Sequence, residues 1–138
     1  MNVALQVRAA ESLQAAITQE LTRQLEQIDG VCVATANCDI IINLIATELT
    51  TRDGRSTGLA VSWVAMEPLD PSVVDKFMQP QGRAFVKLLL CDYHRMRRQR
   101  QLILGNRDVR KLAAQVVGDL NNVQRDDPPA IAAAAAAG

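Results

Sequence analysis

The apolar positions along this chain change period several times, and each change marks an element. Val3, Leu5 and Val7 alternate with Ala4 and Gln6, which predicts a short strand over 3–7. From 11 to 28 the period lengthens. Leu13, Ile17, Leu21, Leu25 and Ile28 fall on one side of a helix, and Gln, Glu, Thr and Arg fill the other. Asp29-Gly30 ends that helix, because glycine takes a left-handed cap without steric cost. Val31-Cys32-Val33-Ala34 predicts a brief strand, and Thr35-Ala36-Asn37-Cys38-Asp39 a turn.

The run from Ile40 to Thr47 is the strongest strand pattern. It is β-branched and apolar on both faces, which predicts a strand deep in a sheet or covered on both sides. Asp53-Gly54 favours a tight turn. Residues 57–67 then return, with Leu59, Val61 and Trp63 on one face and Ala60, Ser62 and Val64 on the other. An antiparallel hairpin is therefore expected over about 39–67. Asp70 before Pro71 is placed to cap a one-turn helix through Val74 and Phe77, and Gln79-Pro80-Gln81-Gly82 reads as a loop. The stretch 83–104 carries two patterns. Phe85, Leu88, Leu89 and Met96 fit a helix, whereas Leu102-Ile103-Leu104 before Gly105-Asn106 fits a strand running into a turn. We read a strand or twisted hairpin arm over much of 85–104, with a helix as the alternative. Val109, Leu112, Ala113, Val116, Val117 and Leu120 complete a helical stripe, capped by Asp108 and ended by Asn121-Asn122.

These elements predict a single α+β domain over 1–125: a mainly antiparallel sheet with two amphipathic helices packed on one face. Asp126-Asp127-Pro128-Pro129 and the alanines Ala132–Ala137 predict a flexible tail over 126–138, too short to hold a helix alone. With 138 residues, 49% hydrophobic and 22% charged, the chain can build a core without a disulfide or metal. Its few aromatics are Trp63, Tyr93, Phe77 and Phe85, so that core is aliphatic, and Trp63 reads as core or as a partner-facing aromatic. Cys32, Cys38 and Cys91 form no CxxC and read as small buried apolar residues. A Cys32–Cys38 disulfide stays open if the chain turns between them in an oxidising compartment.

Candidate chemistry is sparse. No nucleophile elbow, zinc-protease pair, phosphate loop or dinucleotide fingerprint occurs, and His94 is the only histidine. We therefore expect a non-enzymatic protein with no cofactor, metal or small-molecule substrate. No apolar run approaches the roughly 20 residues of a membrane span, and residues 1–8 lack the form of a secretory signal. The expected location is cytoplasmic by default, or periplasmic if the chain is the mature part of an exported protein.

Charge changes the picture most. Nine of the fifteen basic residues lie between Arg83 and Lys111, opposed only by Asp92 and Asp108, a net of +7. The rest of the chain carries −7, so the formal neutrality hides a dipolar molecule. The densest part is His94-Arg95-Met96-Arg97-Arg98-Gln99-Arg100. As a strand it would set Arg95, Arg97 and Gln99 on one face and His94, Met96, Arg98 and Arg100 on the other. Three readings follow. The run grips phosphates while Tyr93 and His94 stack on bases; it protects a sheet edge from aggregation; or it meets the acidic remainder of a neighbouring copy, such as Glu11, Glu20 and Glu26 on the first helix. Arg95, Arg97, Arg98 and Arg100 are the candidate partner-binding residues under the first and third.

The order of elements resembles that of small α+β domains in bacterial envelope and assembly proteins, such as the N-terminal domain of TolB and the CsgG-like secretion proteins. The resemblance lies in Asp29-Gly30-Val31-Cys32-Val33 after the first helix, in Asn37-Cys38-Asp39-Ile40-Ile41-Ile42 as the turn into a central strand, in Leu59 to Trp63 as the returning strand, and in Gly105 to Leu120 as a strand end and helix. It covers about 3–122. It implies docking rather than catalysis: a protein-binding domain, expected to associate with itself in a larger bacterial or phage complex. The basic run supplies the alternative expectation, a nucleic-acid-binding accessory protein.

Overall fold

The computed structural model describes residues 1–68, 71–76, 79–90 and 94–126. The expected cap at Asp70, the thiol of Cys91, Tyr93 and the tail from 127 onwards lie outside them.

Strand β1 (Asn2–Arg8) leads into helix α1 (Glu11–Leu25), then β2 (Cys32–Val33), β3 (Ile40–Thr50) and β4 (Ser56–Pro68). A 3-10 turn (Pro71–Lys76) and helix α2 (Pro80–Leu90) precede β5 (His94–Leu104) and helix α3 (Val109–Asp126). The sheet runs β2-β1-β3-β4-β5. It is mixed: β1 pairs in parallel with both β2 and β3, while β3–β4 and β4–β5 are antiparallel. The α+β class holds, but the mainly antiparallel sheet and the count of two helices both need correction. The hairpin is local and could be read from its turn. The parallel pairings join residues nearly forty positions apart, as Val3 does with Ile40, and no local pattern encodes them.

The parallel corner is fastened at the start of β1. The Cys32 N–H donates to the Met1 carbonyl (2.9 Å) and the Ala34 N–H to the Val3 carbonyl (2.9 Å). Asp39 donates its N–H to the Asn2 carbonyl (2.8 Å) and accepts the Asn2 N–H on its carboxylate (2.7 Å). The chain between β2 and β3 thus crosses from one side of β1 to the other, turning through Asn37 at positive φ. Cys32 and Cys38 are free thiols in this corner.

Helices α1 and α3 pack on each other and cover one face of the sheet. The stripe Leu13, Ile17, Leu21 and Leu25 is buried, as are Leu112, Ala113, Val116 and Leu120. Opposite them lie Val3 and Val7 of β1, Ile42 and Leu44 of β3, and Leu59, Val61, Trp63 and Ala65 of β4. Each fully buried Leu or Ile here contributes about 1.5–3 kcal/mol of apolar transfer. Trp63 belongs to this core, at 1% exposure.

Two helix ends differ from expectation. α1 stops at Leu25; Ile28 stays against the core, but through a turn in which its N–H donates to the Leu25 carbonyl (3.0 Å) before Gly30 takes φ 79°. α3 runs past Asn121-Asn122 to Asp126, because two adjacent asparagines lower helix propensity only modestly. Asp108 caps its start, accepting the Lys111 N–H on its carboxylate (3.1 Å). The ambiguous stretch resolves into both patterns in succession, α2 to Leu90 and β5 from His94.

Candidate interaction surface

β5 is the outer strand at one end of the sheet, eleven residues long and rich in arginine. Its pairing with β4 is interrupted. Ala65 stands opposite Arg98 but the next residue, Met66, stands opposite Met96, so Arg97 is an extra residue in a bulge. The bulge changes which side chains share a face. Arg98 and Arg100, opposite Ala65 and Trp63, fall on the helix-covered side with Leu102 and Leu104. Met96, Gln99, Gln101 and Ile103 fall on the other side with Met66, Val64, Ser62 and Ala60. The uninterrupted alternation expected for a strand, with Met96 beside Arg98 and Arg100, is therefore corrected.

The three described candidate arginines do not form one array. Arg97 Nε meets the Glu67 carboxylate at 2.6 Å. Arg100 Nε meets Asp119 of α3 at 3.4 Å, beside a groove between β5 and α3. Arg98 is half-buried. The backbone of Arg95 pairs with Glu67, but its side chain, like that of His94, lies outside the described part. Two further cations of the basic stretch also pair within the chain, Lys87 with Asp75 (2.7 Å) and Arg107 with Glu48 (3.3 Å). Part of the opposition between the basic stretch and the acidic remainder is thus closed inside one molecule.

The sheet face turned away from α1 and α3 carries a different surface. Ile45 is 49% exposed, Met96 59% and Ile103 80%. Ile45 and Ile103 flank a shallow recess of about 300 Å³ with Thr47, Ala60, Ser62 and Gln101. No described helix covers this face: α2 packs against the 3-10 turn and itself exposes Phe85 and Leu88. The apolar pattern on both faces of 40–47 predicted a strand deep in the sheet or covered on both sides; β3 is the central strand, and no described helix covers its second side. This surface was missed as a site, although Ile45 and Ile103 were visible in the sequence as apolar residues out of step with the core face.

Among the described residues, no three His, Cys, Asp or Glu side chains gather as a metal site, and no helix is long and apolar enough to cross a membrane. No family model matches the sequence, and no curated protein matches it significantly. The resemblance to envelope and assembly domains therefore rests on element order alone.

Proposed function

We propose that this chain is a non-enzymatic interaction domain that associates with further copies of itself within a larger assembly. The observation that carries this reading is the bare sheet face, where Ile45, Met96 and Ile103 stand exposed on an otherwise helix-packed sheet. Large apolar side chains grouped on one face are what a docking surface offers. The same chain exposes Phe85 and Leu88 on α2, which packs on the 3-10 turn. Among the described residues, the molecule thus exposes apolar side chains on two surfaces, and two copies related by a twofold axis can bury one set in the other.

The arginines favour this reading over phosphate binding. Arg97 and Arg100 already face carboxylates of their own chain, so they are poorer free cations than the sequence implied. Size-exclusion chromatography with light scattering at low and high salt, with mixed nucleic acid in a parallel run, is the test. A defined oligomer that survives high salt is expected, because apolar burial is not screened. A monomer that co-elutes with nucleic acid only at low salt would replace this reading with the phosphate one.

A further inference from the structure

β5 is an outer strand of the sheet, eleven residues long against two for β2 at the other edge. Alternate residues of an edge strand turn their N–H and C=O groups away from the sheet, where another strand can take them. Over eleven residues this is a template for several consecutive backbone hydrogen bonds.

We propose that the β5 edge binds an extended acidic segment of another protein by strand addition. A second copy of β5 is a poor occupant. Antiparallel self-pairing centred on Arg97, Arg98 or Gln99 would set Arg97 against Arg97, Arg98 against Arg98, or Arg98 against Arg100. Like charges directly opposite each other destabilise a strand pair. An acidic strand reverses that sign. Among the described side chains of β5, Arg97 meets Glu67 and Arg100 meets Asp119, which leaves the Arg98 guanidinium for a carboxylate of the added strand.

Register adds a pattern to the charge. Arg98 and Arg100 lie on the helix-covered side of β5, while Met96 and Ile103 lie on the bare side. The fitting partner therefore alternates acidic and apolar residues, a carboxylate beside Arg98 and its apolar side chains extending the row from Met96 to Ile103. The backbone contact lies on the β5 edge, while the partner's apolar side chains would adjoin Met96 and Ile103, which also border the face proposed for self-association.

A labelled peptide of alternating glutamate and valine, as long as β5, is titrated into the full chain and followed by fluorescence anisotropy. Two further versions carry N-methyl groups on every second residue, one version for each phase. Saturable binding of the unmodified peptide is expected. One N-methyl phase should weaken it at least about tenfold, by removing donors that pair with β5, while the other should leave it nearly unchanged. Arg98→Glu should also weaken binding, with circular dichroism confirming that the variant is folded. Equal binding of both N-methylated peptides would mean attraction by charge alone and overturn strand addition. Absence of binding, or binding of single-stranded nucleic acid in place of the peptide, would overturn the acidic partner. The chain's own oligomer size is read in the same samples, so failure here is separable from failure of self-association.

Discussion

Gly58 shows how much one backbone position can decide. It sits at φ 153°, a conformation that L side chains rarely adopt, near the bulge between Leu49 and Thr50. A Cβ there would fall on the Leu104 carbonyl oxygen and within 3.0 Å of its carbon, and neither can swing aside as a side chain would. Gly54 also has positive φ, at 79°, but a Cβ there meets nothing. Gly58→Ala is therefore expected to cost about 2 kcal/mol or more, and Gly54→Ala about 1 kcal/mol, in urea unfolding at neutral pH. Equal costs would mean that the close approach of β4 to the end of β5 relaxes freely. Glu20 offers a second test at this scale. Hydrogen bonds from Arg23 and then Gln24 lower its pKa from 4.5 to about 2. A carboxyl depressed on folding adds stability that is present above its unfolded pKa and lost as pH falls through the folded one. The stability difference between the native chain and Glu20→Gln should therefore be constant above about pH 4.5 and fade towards pH 2 in a series of denaturation curves. A difference that persists unchanged at pH 2 would show that the pair is not what matters at Glu20.

At the scale of elements, the helices carry the most separable contributions. Asp108 accepts the Lys111 N–H, satisfying one of the free donors at the start of α3. Asp108→Ala should cost about 1 kcal/mol, read as a shift in the denaturation midpoint with unchanged slope, whereas Asp108→Asn should cost much less. This cap was legible in the sequence, as were the buried stripes of α1 and α3, because helix patterns are local and repeat every three to four residues. The hairpin of β3 and β4 was legible for the same reason, its turn marked by Asp53-Gly54. The stretch 83–104 was not, because two short elements with opposite periods share it. α2 presents Phe85 and Leu88 at helical spacing, and β5 begins only four residues after Leu90. Nor was the bulge at Arg97 legible. It inverts the phase of everything before it in β5, and it depends on how β4 lies beside the strand rather than on any residue in it. Of the candidate residues the sequence therefore showed the strand that carries them but not their faces, which the bulge sets.

At the scale of the whole molecule, two helices close one face of the sheet, and no described helix covers the other. On the covered side, buried apolar residues of four strands meet two helices. On the bare side, the same strands show Ile45, Met96 and Ile103 among Gln, Ser and Thr. The charge asymmetry in the sequence suggested that arginines would hold copies together. The fold weakens that idea, since Lys87, Arg97, Arg100 and Arg107 each meet a carboxylate of the same chain. The two ideas separate cleanly by substitution. Ile103 is 80% exposed, so Ile103→Glu should change folding stability by no more than about 0.5 kcal/mol. If the bare face is the interface, this one buried charge should shift the oligomer to monomer by light scattering while the melting curve stays in place. Arg98→Glu, on the opposite side of the same strand, should leave the oligomer intact. The reverse pattern, with Arg98→Glu dissolving an assembly that Ile103→Glu leaves whole, would return the interface to the arginines, and high salt should then loosen it as well.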